Sequence, residues 1–171
     1  LVNQITNLNK GIYLDEETIN PNPTNFCTGV AGYPEKHMEA PSIESDIHFL
    51  KKKIRAGANY VITQMFFDNK KFFSFEKKCR EEGIKVPIIP GLKPISILKH
   101  LNTIPHRFHV DLPEPLIKEI IKCKTRDSIR QVGVEWCIEQ SKELKEFNVP
   151  FLHYYSMGKS DNIKKIARAI F

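Results

Sequence analysis

The residues best suited to chemistry lie in one short segment, AGYPEKHMEAPSIESD, residues 31–46. It offers a phenol (Tyr33), an imidazole (His37) and a carboxylate (Asp46), and the stretch beyond it supplies three consecutive lysines, Lys51, Lys52 and Lys53. A loop running into the first turns of a helix can hold a pyrophosphate: backbone N–H groups face the anion and lysines balance its charge. The same residues also suit a surface loop followed by a solvated lysine run. A second point of interest is Gln64, which interrupts the apolar run YVITQMFF. A buried amide without partners costs about 1–3 kcal/mol, so it meets either neighbouring backbone or the hydrogen-bonding edge of a ligand. Asp68 reads as a helix cap, and Phe66 and Phe67 read as core. Lys159 stands where it can meet an anionic tail or only water. His106 and His109 are close in sequence but have no evident third partner, so no metal site is expected.

Composition narrows the classes. The chain has 171 residues, 41% hydrophobic and 27% charged, with a net charge of +6. This is a globular composition, and the modest, dispersed positive charge favours small anionic ligands over nucleic acid. No apolar run approaches the length needed to span a membrane, and no signal peptide is visible. Cys27, Cys79, Cys123 and Cys137 form no C-x-x-C pair, which predicts buried free thiols in a reducing cytoplasm. The chain opens without Met on what reads as a helix over Leu1–Asn9, the expectation being a segment of a longer protein.

These residues must be positioned by alternating short apolar runs and amphipathic stretches. The predicted strands are 26–32, 60–67, 86–92 and 150–157. The first long helix starts at Ser42 as N-cap, carries Ile43, Ile47, Leu50 and Ile54 on one stripe and ends at Gly57. Further helices are predicted over 70–82 (closed by Gly83), 96–102, 114–123 and 127–147. A last helix follows Ser160 as its cap, with Ile163, Ile166, Ala167 and Ile170 on one face. Residues 105–115, flanked by prolines, are predicted as loop. Four strand–helix units in sequence imply parallel strands with right-handed crossovers, in either an open sheet or half of a (β/α)8 barrel. In a barrel, function gathers at the C-terminal ends of strands, here 33–40, 64–68, 90–94 and 154–159.

The motifs GYPEKH (32–37), LKKKIRAGANYVITQMFFD (50–68), VPIIPGLKPIS (86–96), VGVEWCIEQSKEL (132–144) and HYYSMGKSDN (153–162) together resemble the methylenetetrahydrofolate reductase family, in order and spacing. The resemblance runs over residues 1–171 and implies an α/β fold, the C-terminal half of a (β/α)8 TIM barrel with the N-terminal half absent from the chain. It implies FAD as cofactor and reduction of 5,10-methylenetetrahydrofolate to 5-methyltetrahydrofolate, with NADH or NADPH as electron donor, in an intact protein that is a homo-oligomer. Matched residue by residue, Tyr33, His37, Ala40, Asp46, Lys52 and Lys53 occupy FAD-binding positions. Gln64 occupies the position that meets the pterin and the nicotinamide. His100 and Lys159 occupy folate contacts. Phe49 departs from a polar FAD contact found in some members. The general acid of the family has no counterpart here and is expected upstream of Leu1, so no catalytic residue is assigned. Two other readings are a phosphate-binding barrel lyase, which wants a Schiff-base lysine inside a strand where none occurs, and a non-catalytic half-barrel, which would bind no flavin.

Overall fold

The structure, a computed structural model, describes residues 1–15, 17, 22–158 and 160–171. The elements in order are α1 (Val2–Asn9), β1 (Gly29–Gly32), α2 (Ile43–Arg55), β2 (Tyr60–Met65), α3 (Asn69–Glu81), β3 (Ile88–Leu92), α4 (His100–Phe108), α5 (Glu114–Lys122), α6 (Arg126–Glu146), β4 (His153–Tyr154) and α7 (Asp161–Ile170). The four strands pair in parallel in the order β1-β2-β3-β4. An open doubly wound sheet reverses its strand order at a switch point, whereas here each new strand is added on the same side. That progression is the arc of a barrel, and the fold is half of a (β/α)8 barrel.

Strand β2 shows how the sheet separates its faces. Val61, Thr63 and Met65 are buried, while Tyr60, Ile62 and Gln64 on the opposite face are only partly covered. Val61 packs in a core with Ile47 and Leu50 of α2, Phe72, Phe75 and Cys79 of α3, Val134, Cys137 and Leu144 of α6, and Ile166 of α7. The stripes predicted for α2 and α7 are the faces that enter this core: Ile43, Ile54, Ile163 and Ile170 pack at its margin. Met65 and Phe67 join a second cluster with Ile95, Ile104, Val110, Leu116, Ile120 and Ile129. Helix α6 contributes to both clusters.

The caps behave as their chemistry dictates. The Ser42 hydroxyl accepts from the Ser45 N–H and the Asp68 carboxylate from the Lys70 N–H. Gly57 and Gly83 follow α2 and α3 with positive φ, a conformation that costs glycine little. Ser160 is the N-cap residue of α7 but makes no side-chain cap bond.

Each strand is shorter than its apolar run, and beyond the ends of β1, β2 and β3 side chains take up the neighbouring carbonyl and N–H groups. The Asn9 amide donates to the Phe26 carbonyl and accepts from the Phe26 N–H, which holds residue 26 against α1, and β1 begins at Gly29. Beyond Met65, the Trp136 indole N–H donates to the Phe67 carbonyl at 3.0 Å and the Gln140 amide to the Phe66 carbonyl. The Arg80 guanidinium holds the carbonyls of Ile84 and Val86, so β3 starts at Ile88. The fourth strand contracts to two residues.

The predicted helix over 96–102 and loop over 105–115 are corrected: α4 runs from His100 through Pro105 to Phe108, and the loop starts at His109, which adopts φ 52°. A proline inside a helix removes one hydrogen bond. Burial of Ile104, with Leu101 and Phe108 packed on the second cluster, offsets that loss. The thiols also differ from expectation: Cys79 and Cys137 are buried, Cys123 is half-buried and Cys27 is exposed. Burial pushes the Cys79 and Cys137 thiols up to about 12, so neither is a reactive thiolate. No described helix is long and apolar enough to cross a membrane.

At Gly133, helix α6 lies directly on the backbone of Ile95, and a Cβ there would run into its carbonyl. Gly133→Ala should therefore cost the intact protein about 1–3 kcal/mol, a fall in Tm of roughly 2–4 °C per kcal/mol. An unchanged melting temperature would show that α6 can lift off residue 95 freely.

Candidate ligand site at the C-terminal ends of the strands

The loop after β1 is held from three directions. Lys36 takes φ 75° and turns its ammonium back onto the carbonyls of His37 at 3.0 Å and Ala40 at 2.6 Å. The Asp46 carboxylate accepts the His37 N–H at 2.9 Å, tying the loop to the first turn of α2. The His37 ring meets the Tyr33 ring edge-on, with centroids 4.6 Å apart. Burial, and then the Asp46 charge, raise the pKa of the Tyr33 phenol, so it stays a neutral hydrogen-bond donor. Tyr33, His37, Ala40 and Asp46 thus lie around one loop and the start of α2. Lys52 and Lys53 lie on the last turns of α2. Lys52 rests over the exposed Phe49 ring at 5.1 Å. Lys53 makes no hydrogen bond or ion pair with a described residue. Lys51, in contrast, is paired with Glu82.

The third anchor of the loop is Glu35, which sequence reasoning did not single out although it lies inside the GYPEKH motif. Its side chain is only 7% exposed and sits 3.7 Å from the Lys71 ammonium. It accepts the Asp111 N–H at 3.1 Å, and Lys71 also pairs with the Asp111 carboxylate at 3.2 Å. The three residues come from three different loops and helices, so no local pattern could have grouped them. Burial outweighs the help of Lys71 and raises Glu35 to about 7.

Gln64 ends the inner face of β2. Its amide oxygen accepts the Met65 N–H at 2.9 Å, while its amide nitrogen has no partner among the described residues. Neighbouring backbone thus satisfies the oxygen, one of the two readings of this amide.

A cavity of about 940 Å³ opens between the C-terminal ends of β2, β3 and β4, helix α4 and the starts of α6 and α7, and neither Gln64 nor the loop after β1 is among its lining residues. His100 lines it. Its Nδ1 accepts the Ser96 N–H at 3.3 Å, and burial followed by the nearby Lys93 charge lowers its pKa. A neutral imidazole accepting at Nδ1 presents an Nε2–H donor. Tyr155 spans the same region, its hydroxyl donating to the Thr63 carbonyl at 2.9 Å. The cavity also contains Lys93 and Arg107, which sequence reasoning passed over. A lysine between a buried strand and a proline, in PGLKP (90–94), was the available signal. Lys159 lies outside the described residues. Among the described residues no cluster of His, Cys, Asp or Glu could hold a metal ion.

Residues 16–170 match the sequence profile of a family described as Methylenetetrahydrofolate reductase. The chain belongs to this family. It is 37% identical over 147 residues to the Caenorhabditis elegans "Probable methylenetetrahydrofolate reductase (NADPH)", covering 85% of this chain and 22% of that protein. It is 32% identical over 143 residues to the Arabidopsis thaliana "Methylenetetrahydrofolate reductase (NADH) 1", covering 78% of this chain and 24% of that protein. It is 33% identical over 138 residues to the Escherichia coli "5,10-methylenetetrahydrofolate reductase", covering 80% and 47%. The chain thus spans between about a fifth and a half of these relatives' length. A Clostridium thermocellum protein, described as binding two copies of 5-methyl-5,6,7,8-tetrahydrofolic acid, shares the fold with a TM-score of 0.58 at 24% identity, over 82% of this chain and 51% of that one.

Glu35 gives this reductase-family segment a pH signature. Its folded value of about 7 exceeds the 4.5 of a free glutamic acid, so the folded protein holds the proton more tightly than the unfolded chain. The corresponding stability is present below the unfolded value and is lost as pH rises through the folded one. Glu35→Gln keeps an oxygen for the Asp111 N–H but cannot titrate. Denaturant melts at about pH 5 and about pH 8 should show the parent losing stability relative to the variant at the higher pH. Parallel curves would mean that Glu35 is ordinarily solvated.

Proposed function

We propose that this segment is half of the FAD-binding catalytic barrel of a methylenetetrahydrofolate reductase. The protein would take electrons from NADH or NADPH and reduce 5,10-methylenetetrahydrofolate to 5-methyltetrahydrofolate, as a cytoplasmic enzyme that works as a homo-oligomer. The observation that carries this reading is family membership across residues 16–170. The position of unsatisfied polar groups, at the barrel end where such folds place their active sites, supports it. Tyr33, His37, Ala40, Asp46, Lys52 and Lys53 would hold FAD. These residues fit the cofactor: Lys53 has no partner among the described residues, Tyr33 keeps a neutral hydroxyl, and the loop is internally braced before any ligand arrives. Bound FAD would supply the hydride that passes between nicotinamide and folate.

Gln64, His100 and Lys159 would meet the folate. The amide nitrogen of Gln64 and the Nε2–H of His100 are neutral donors suited to the hydrogen-bonding edge of a pterin or a carboxamide. Their task is orientation: they set the acceptor against the flavin face. The test is direct. The purified intact protein should be yellow, should bleach with NADH or NADPH in the absence of oxygen, and should recover its colour on adding methylenetetrahydrofolate. A colourless protein that binds no added FAD would rule the reading out.

Two variants assign the residues. A charge-assisted hydrogen bond contributes about 1.5–3 kcal/mol, so Lys53→Ala in the intact enzyme should weaken FAD retention about ten- to a hundredfold. Unchanged FAD release on dilution would remove Lys53 from the site. Gln64→Glu preserves size but replaces the free donor with a charge. It should slow the folate half-reaction and leave FAD bound. Rapid-mixing kinetics with both half-reactions at the parent rate would make Gln64 merely structural.

A further inference from the structure

The cavity beside β3 is more positive than a neutral ring system requires. Lys93 sits two residues beyond Gly91 and four beyond Ile89, on the strand face opposite Ile88 and Leu92, which are buried beneath the helices. It is half-buried and lines the cavity, yet it has no hydrogen bond or ion pair with any described residue. Burial lowers its pKa, the mark of an ammonium whose water has been partly removed and not replaced. An ammonium in that position is costly unless an anion joins it.

The neighbouring charges do not supply that anion. Arg130 is already committed, to the Asn162 side chain at 3.2 Å and the Asp161 carboxylate at 3.7 Å. Arg107 and Arg126 are exposed at the rim of the same cavity and make no ion pair among the described residues. Asp127 is the one lining carboxylate not paired with an arginine. Among the described residues, three uncommitted cations therefore face one uncommitted carboxylate, with the half-buried cation inside and the two exposed ones outside.

We propose that Lys93, with Arg107 and Arg126 at the rim, forms a subsite for the anionic end of the ligand that this cavity binds. The proposal rests on the functional reading above and adds to it residues that hold charge rather than the ring. Two ligands of that reading carry suitable anions: the glutamate carboxylates of the folate tail, and the extra phosphate that distinguishes NADPH from NADH. Gln64 and His100 offer only neutral donors, whereas Lys93 and the two rim arginines offer charge. Lys93 should matter more than either arginine, because a partly desolvated cation interacts more strongly than an exposed one.

The experiment uses the intact, FAD-loaded enzyme and the variants Lys93→Met and Lys93→Arg. Four ligands are compared: methylenetetrahydrofolate, the methylenetetrahydropteroate analogue that lacks the glutamate, NADPH and NADH. Lys93→Met should keep FAD and kcat within about twofold and raise one KM by about ten- to a hundredfold. A rise for the folate but not for the pteroate identifies the carboxylates as the anion. A rise for NADPH but not for NADH identifies the phosphate. Lys93→Arg keeps the charge and should stay within a few fold of the parent. If Lys93→Met leaves all four KM values unchanged, or if Lys93→Arg loses affinity as fully as Lys93→Met, the subsite is refuted. Flavin reduction and folate turnover by the parent would then leave the functional reading standing. A parent enzyme that neither binds FAD nor turns over folate would refute both.

Discussion

Strand β3 has no side chain at Gly91, and the backbone of β2 fills the space. A Cβ there would run into the Thr63 carbonyl and the Tyr155 ring. The Gly91 N–H donates to the Thr63 hydroxyl at 2.9 Å, and the Tyr155 hydroxyl donates to the Thr63 carbonyl at 2.9 Å. Three strands are thereby drawn together at one level. The register between β2 and β3 shifts at this point, from Ile62 opposite Ile89 to Met65 opposite Gly91. The extra residue on β2 lets the chain change direction. Gln64 projects from the inner face at this irregularity, Lys93 follows two residues beyond Gly91, and Tyr155 becomes part of the cavity wall.

Around that contact the polar groups fall into two populations. Those of the scaffold are satisfied internally: Lys36 by carbonyls, Asp46 by the His37 N–H, Asn69 and Gln140 by each other and by the α3–α6 backbone. Those nearer the C-terminal ends of the strands have no partner among the described residues: the Gln64 amide nitrogen, the His100 Nε2–H and the Lys93 ammonium. A site works best when its walls are rigid before the ligand arrives and its donors remain unspent. Glu35 belongs to the first population, but only in part. One ammonium at 3.7 Å and one N–H do not fully replace the water it has lost, which is why its proton is held up to about 7.

The helices and their caps could be read from the chain, because their causes are local. A stripe such as Ile43, Ile47, Leu50 and Ile54 recurs with the helical repeat, and Ser42 and Asp68 sit three and two residues from the N–H groups they cap. The number and order of strand–helix units followed from the same alternation, and the motifs from GYPEKH to HYYSMG pointed to the family. Choosing between an open sheet and a barrel needed either that resemblance or the observed order β1-β2-β3-β4, since hydrophobic periodicity is the same in both.

What only the tertiary structure decided depends on partners far apart in sequence. The strands end where Asn9, Arg80, Trp136 and Gln140 take up backbone groups that a propensity argument would leave in the sheet. Helix α4 continues through Pro105 because Ile104 has a core to enter. Glu35, Lys71 and Asp111 meet across separations of 36, 40 and 76 residues, and Lys93 gains meaning only once the cavity beside it is seen to hold more uncommitted cations than carboxylates among the described residues. Periodicity and caps report short-range geometry, so the sequence determined the elements and the family. The balance of charge in a cavity is a sum over side chains brought together by folding, and three dimensions were needed to form it.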